Sequence, residues 1–132
     1  MIAVDTNIVV RLLTKDDPSQ SQISFQLFQE QEIFISDTVI LETEWVLRFA
    51  YKFSASDINR ALVKLFGLAN VHLHDANKIA RVLDWYRSGL DFADALHLAQ
   101  SQHCPQMYTF DRKFSRKAEN LSECQVIQPE YE

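Results

Sequence analysis

Short apolar runs alternate with longer amphipathic segments along this chain of 132 residues. The short runs predict five strands, at residues 2–4, 33–35, 71–73, 107–110 and 125–127. The first of them, Ile2-Ala3-Val4, is continuously apolar, which is typical of a strand buried on both faces of a parallel sheet. Strands of this kind need helices on both sides of the sheet to cover them.

The longer segments carry apolar residues at helical spacing. They predict helices over residues 6–15, after the break at residues 16–19, after a cap at Ser36 or Asp37, over residues 54–66 and 75–87, and after a cap at Asp91. Strands and helices alternate over the whole length, and 132 residues suit one domain. The predicted fold class is therefore α/β, a three-layer α/β/α sandwich with a central, mostly parallel sheet, in one domain spanning 1–132.

The helix that follows Ser36 has a wide apolar face. The aromatic residues Trp45, Phe49 and Tyr51 belong either to the core or to a groove for a partner, and their helical spacing favours the core. Glu44 lies two residues from Glu42 and points elsewhere on the helix, which predicts an exposed charge.

Composition limits the class of protein. The hydrophobic fraction of 47% and the charged fraction of 23% are typical of a globular chain, and no segment is long and apolar enough to cross a membrane. The N-terminus lacks the basic start of a secretory signal, so we expect a cytoplasmic protein with Cys104 and Cys124 reduced. A net charge of −5 argues against a protein that coats nucleic acid through an overall positive field.

Four acidic residues have positions suited to chemistry. Asp5 and Asp111 follow predicted strands, where α/β sheets place their sites, and Glu42 and Asp94 lie on predicted helices. Two carboxylates about 4 Å apart repel by roughly 4 kcal/mol at an effective dielectric of about 20. Four converging carboxylates must therefore take up protons, spread apart or bind a cation. Oxygen ligands without histidine or cysteine favour Mg²⁺ or Mn²⁺, which activates water for attack on a phosphodiester.

Four short motifs contain these acids: Val4-Asp5-Thr6-Asn7, residues 41–47 (LETEWVL), residues 91–97 (DFADALH) and residues 109–114 (TFDRKF). In this order they resemble the PIN domain, most closely the VapC-type toxins of bacterial and archaeal toxin–antitoxin pairs. The resemblance covers essentially the whole chain. It implies a metal-dependent endoribonuclease that acts on RNA, forms a homodimer and is inhibited by a small cognate antitoxin of the VapB kind.

The resemblance also assigns residues to the site. Asp5, Glu42, Asp94 and Asp111 match the family's acidic metal site, and none is replaced by a neutral residue. Asp5 and Asp94 would make the more constant metal contacts, Glu42 would orient or activate water, and Asp111 would complete the site or bind the metal through water.

Further residues lie beside these acids in sequence. Three of them would orient phosphate or a carboxylate, or alternatively cap the backbone: Thr6, Asn7 and Thr109. Asp91, one helical turn before Asp94, would assist the site or alternatively cap its helix. A basic run directly after Asp111 would contact the RNA backbone, or alternatively form a solvated face: Arg112, Lys113, Arg116 and Lys117.

Three other functions remain open from the sequence. A PIN fold without catalytic activity would bind RNA or protein only. A metal-dependent phosphatase would use Asp5 as its nucleophile, although the dehalogenase-like pattern wants a second aspartate where Asn7 stands. A structure-specific DNA nuclease would use the same acids, because a metal site contacts the phosphate and does not distinguish ribose from deoxyribose.

Overall fold

The computed structural model describes residues 1–130 of the chain. Contacts between residues divide the chain into two compact units, of which the first is Met1–Ala76 and the second begins at Asn77. Strands and helices alternate in both units, and every strand pair is parallel. The predicted fold class, α/β with parallel strand pairing, is confirmed.

A three-stranded parallel sheet forms the centre of the first unit. Its strands are β1 (Ile2–Ala3), β2 (Ile33–Ile35) and β3 (Val71–Leu73), and β2 lies between the other two. Ile33 pairs with both Ile2 and Val71. Ile33 and Ile35 lie on one face of β2 and are fully buried, and Phe34 on the other face is half-buried. In β1, Ile2 is half-buried and Ala3 is exposed, so the prediction that this strand is buried on both faces is wrong.

Four helices connect and cover these strands. They are α1 (Thr6–Thr14), α2 (Pro18–Glu30), α3 (Asp37–Phe49) and α4 (Ala55–Phe66). Each begins after a residue whose side chain accepts a hydrogen bond from a backbone N–H of the first turn: Asp5, Asp17, Ser36 and Ser54. Helix α1 packs against both α2 and α3.

A two-stranded parallel sheet and three helices form the second unit. The helices are α5 (Ala76–Arg87), α6 (Phe92–Gln100) and α7 (Arg112–Lys117), and the strands are β4 (Gln106–Tyr108) and β5 (Gln125–Ile127). Phe92 is fully buried and meets the ring of Tyr86 edge-on, with ring centroids 5.1 Å apart. Edge-to-face aromatic pairs of this kind add to the stability that burial alone provides.

Helix α3 differs from the sequence prediction. Ile40, Thr43, Glu44 and Leu47 form its buried stripe, whereas Trp45 and Phe49 are 56% and 47% exposed. The predictions that Glu44 is an exposed charge and that Trp45 and Phe49 are core residues are therefore wrong.

Arg48 explains why a carboxylate can occupy the buried stripe of α3. Its Nε lies 2.8 Å from Oε2 of Glu44, one helical turn earlier, so the buried charge has a cationic partner. Its guanidinium also lies over the ring of Phe49, 4.6 Å from the centroid.

Strand β4 is shorter at its end than the predicted residues 107–110. Thr109 and Phe110 lie beyond it, because the hydroxyl of Thr109 accepts a hydrogen bond from the backbone N–H of Asp111 and turns the chain into α7. Both cysteines are free. No helix within residues 1–130 combines the length and apolar character needed to cross a membrane.

Candidate acidic site

Asp5 stands where β1 gives way to α1. Val4 still pairs with β2 through its backbone N–H, and Asp5 then caps α1 by accepting a hydrogen bond from the N–H of Ile8, with a donor–acceptor distance of 3.2 Å. The bond uses Oδ1. The carboxylate of Asp5 is exposed, and the sheet and the helix fix its backbone from either side.

Glu42 is held against α1 by Thr6. The hydroxyl of buried Thr6, the first residue of α1, donates a hydrogen bond to Oε1 of Glu42 on α3. This contact places one oxygen of the Glu42 carboxylate beside the residue that follows Asp5. Thr6 therefore orients a carboxylate, one of the two roles that the sequence left open for it.

In the second unit, Asp91 and Asp94 occupy the first turn of α6. Asp91 is the N-cap and accepts a hydrogen bond from the backbone N–H of Asp94 at 3.1 Å. Asp94 is half-buried, while Asp91 is exposed. Asp91 therefore acts as a helix cap, one of the two roles open to it from the sequence.

Asp111 caps α7 in the same way. Its Oδ1 accepts a hydrogen bond from the N–H of Phe114 at 3.0 Å, and its own N–H donates to the hydroxyl of Thr109. Thr109 itself continues the strand pairing, since its N–H bonds to the carbonyl oxygen of Ile127. The hydroxyl of Thr109 thus organises the backbone that carries Asp111.

Asp94 in the second unit is affected by burial and by two neighbouring carboxylates. Burial raises the pKa of Asp94 above its ordinary value, and the negative charges of Asp91 and Asp111 raise it further. His97 acts in the opposite direction. Asp94 is thus a half-buried carboxylate near two others of like charge.

Helix α7 carries the basic run that the sequence predicts. Arg112, Lys113, Arg116 and Lys117 are all exposed. Lys117 donates a hydrogen bond of 2.8 Å to the carbonyl oxygen of Gly89, which lies in the turn before Asp91. That turn needs Gly89, whose φ of 110° is unfavourable for residues with a side chain. Lys117 therefore ties α7 to the turn that leads into α6.

The structure brings the predicted residues together in two sets. Thr6 and Glu42 meet beside Asp5 in the first unit, and Asp94 interacts with Asp91 and Asp111 in the second. Asn7 is exposed on the first turn of α1. Over residues 1–130 no group of three or more His, Cys, Asp or Glu side chains is gathered closely enough to hold a metal ion.

The donor chemistry of these residues fits a hard divalent cation. Every candidate ligand offers carboxylate oxygen, which Mg²⁺ and Mn²⁺ prefer. Burial and two like charges raise the pKa of Asp94, and a cation would relieve the repulsion between these charges.

A cleft in the first unit contains residues that the sequence analysis did not identify. It adjoins Asp5 and Asn7 and includes Gln20 and Ser24 of α2. The serine is 1% exposed, and its hydroxyl has no hydrogen-bond partner within residues 1–130. The only sequence signal for it is a small polar residue one turn before the buried Phe28 on the same helix.

The chain also matches a known family. The PIN domain model matches residues 2–120, which is most of the chain, and the chain therefore belongs to the PIN domain family. PIN domains are generally nucleases that use divalent metals, and the family suggests a nucleic-acid substrate. A helical content of 57% with parallel strands is compatible with the three-layer PIN fold. A search of curated proteins gives no match to this chain.

The raised pKa of Asp94 predicts how its charge affects folding. Ionised Asp94 opposes folding, because its pKa is higher in the folded chain than the ordinary value of 3.8. This destabilising effect of the Asp94 charge is present at neutral pH and disappears as the pH falls below the ordinary pKa of 3.8. We therefore expect Asp94→Asn to raise the melting temperature in EDTA at pH 7, and the gain to vanish near pH 3.

The measurement is thermal unfolding of both chains across that pH range. Glu123→Gln is the control, because Glu123 is exposed and the substitution removes the same charge elsewhere in the second unit. A lower melting temperature for Asp94→Asn at pH 7 would contradict the prediction.

Proposed function

We propose that the chain is a metal-dependent endoribonuclease and the toxin of a type II toxin–antitoxin pair, of the VapC kind. Membership of the PIN family supports nuclease activity, and the four acidic motifs resemble those of VapC-type toxins. The observation that carries the proposal is the environment of Asp94, a half-buried carboxylate whose pKa is raised by burial and by two neighbouring carboxylates. Such perturbed groups mark functional sites.

Four carboxylates form the proposed donor set: Asp5, Glu42, Asp94 and Asp111. By the resemblance to VapC-type toxins, Asp5 and Asp94 would hold the cation, Mg²⁺ or Mn²⁺, and Asp111 would complete the set. Each of these aspartates lies at the start of a helix and has a fixed backbone, so little conformational entropy is lost when its carboxylate binds a ligand.

Glu42 orients the attacking water. The hydroxyl of Thr6 occupies one oxygen of its carboxylate, which leaves the second oxygen to accept a hydrogen bond from water. A bound divalent cation supplies the rest of the chemistry, by lowering the pKa of that water and neutralising charge on the phosphate. Glu42 then receives the proton that the water gives up as it attacks phosphorus.

The basic helix α7 binds the RNA backbone. Arg112, Lys113 and Arg116 are exposed, and Asp111 begins the same helix. Phosphate contacts of this kind position a strand without reading its sequence. The basic side chains of α7 also create a local positive field on a chain whose net charge is −5.

The proposed partners follow from the same resemblance. The toxin acts in the cytoplasm as a homodimer and is inhibited by a small VapB-like antitoxin. Charge complementarity favours an antitoxin that inserts an arginine or lysine among the carboxylates.

The first experiment is cleavage of total cellular RNA by the purified chain. We expect discrete fragments with Mg²⁺ or Mn²⁺, none with EDTA, and none from Asp5→Asn or Asp94→Asn, because each removes a proposed ligand. Asp84→Asn, an exposed position on α5, is the matched control and should cleave normally. Full activity of Asp5→Asn or Asp94→Asn would refute the site. Metal-independent RNA binding without cleavage would favour a noncatalytic module.

The hydrogen bond from Thr6 gives a second prediction. Thr6→Val keeps the shape of the side chain but removes the donor to Glu42, and we expect cleavage to fall by about 10- to 100-fold, as for other groups that orient ligands. Thr6→Ser keeps the hydroxyl and should retain most of the activity. Equal rates for the two variants, measured on one RNA substrate, would show that the hydroxyl does not act through Glu42.

Helix α7 gives a third prediction. Replacing Arg112 and Arg116 together by alanine should weaken RNA binding and lower the slope of log K against log salt by roughly 1.4, since each phosphate contact to a single strand contributes about 0.7. Arg81→Ala with Arg87→Ala removes the same charge from α5 and should leave the slope unchanged. RNA-binding titrations at several salt concentrations measure this slope. An unchanged slope for the α7 variant would show that the basic residues of α7 form a solvated face and do not contact RNA.

A further inference from the structure

A cleft of about 570 Å³ lies beside Asp5 within the first unit. Its walls come from the start of α1, the first half of α2 and the end of β1. This volume is within the range of about 300 to 1,000 Å³ that small-ligand pockets occupy.

Three polar side chains in the cleft have unused hydrogen-bonding capacity. Neither the amide of Asn7 nor the amide nitrogen of Gln20 has a partner within residues 1–130, and the carbonyl oxygen of Gln20 accepts from Nε of Arg11 at 2.8 Å. Ser24 contributes a hydroxyl that is buried and likewise unpartnered. An unpaired buried hydroxyl costs stability, so a ligand that bonds to it recovers free energy.

The charges around the cleft disfavour phosphate as its occupant. Arg11 is the cationic residue among the cleft's lining, and Asp16, Gln20 and Tyr51 already bind its guanidinium. Asp5 adds a negative charge at the edge. Away from the cation proposed at Asp5, a phosphate group in the cleft would therefore meet an arginine that already has three partners and a second negative charge.

A flat, uncharged group with polar edges suits the cleft better. Amide side chains present a donor and an acceptor side by side, which matches the edges of nucleobases. Ile8 and Ile23 add apolar surface, and Ile23 is 53% exposed. Unstacked bases of single-stranded RNA are recognised by hydrogen bonds to their edges, in addition to stacking on aromatic rings or arginine planes.

We propose that this cleft binds one nucleobase of single-stranded RNA next to the bond that is cleaved, and that Asn7, Gln20 and Ser24 select which base. The inference rests on the proposed ribonuclease function, since it places the base beside the proposed metal ligand Asp5. It assigns the cleavage preference of the enzyme to α1 and α2, whereas α7 holds the backbone without regard to sequence.

Cleavage of a random-sequence RNA library, mapped by sequencing, tests the proposal. We expect wild-type chain to prefer one base at a fixed position beside the cut, by roughly 10-fold or more. Gln20→Glu keeps the acceptor for Arg11 but loses the amide donor, and it should weaken that preference. Gln26→Glu adds the same charge at an exposed position of α2 outside the cleft and should not.

Ser24→Ala gives an independent variant that does not alter charge. Removing an unpartnered buried hydroxyl should leave the melting temperature equal or higher while it weakens the base preference. Thr43→Val is its control, because Thr43 is also buried and unpartnered but lies on α3, outside the cleft. Cleavage with a base preference that neither Gln20→Glu nor Ser24→Ala alters would overturn the inference and leave the ribonuclease intact.

A binding measurement covers the case in which no RNA is cleaved. The side-chain amide signals of Asn7 and Gln20 are followed by NMR in wild-type chain with EDTA, during titration with each of the four nucleoside 5′-monophosphates and with ribose 5-phosphate. Selective shifts with one nucleotide, and none with ribose 5-phosphate, would support the cleft even if the proposed function failed. Equal shifts with all five compounds, or no shifts, would refute it.

Discussion

One kind of hydrogen bond determines where three residues of the acidic motifs lie. At four helix starts an aspartate accepts a hydrogen bond from the backbone N–H three residues later, and three of these aspartates belong to the acidic motifs: Asp5 accepts from Ile8, Asp91 from Asp94 and Asp111 from Phe114. Each bond uses one carboxylate oxygen and satisfies a donor that the helix leaves unpaired. The partial positive charge at a helix start also stabilises the carboxylate. The folding of the helices therefore positions negative charge at three fixed points.

Much of the fold could be predicted because local signals agree with the final structure. Strands β1 and β2 are short apolar runs, and the sequence identifies the helix caps Ser36, Ser54 and Asp91. The positions of Asp5 and Asp111 after strands also follow from the pattern, although Val4 separates Asp5 from β1, and Thr109 and Phe110 separate Asp111 from β4. These short offsets depend on backbone hydrogen bonds that periodicity does not report.

Other features could not be predicted because they depend on partners elsewhere in the structure. Glu44 alone predicts a surface charge, because the sequence does not show that Arg48 pairs with it in the buried stripe, and the neighbouring Trp45 is exposed instead. The link between Thr6 and Glu42 joins residues 36 positions apart, and neither type alone predicts it. Ser24 is one serine among several on α2, and only packing distinguishes its hydroxyl from the exposed ones.

The three capping aspartates also have a consequence for evolution. Asparagine caps a helix about as well as aspartate does, because its side-chain oxygen accepts the same hydrogen bond. The two residues are encoded by codons that differ by a single base. A lineage can therefore discharge Asp5, Asp91 or Asp111 in one mutational step and keep the fold that the caps begin. Mutation can therefore remove the negative charge of these sites without removing the helix caps. A descendant protein that keeps the fold but loses the charge can acquire a different function.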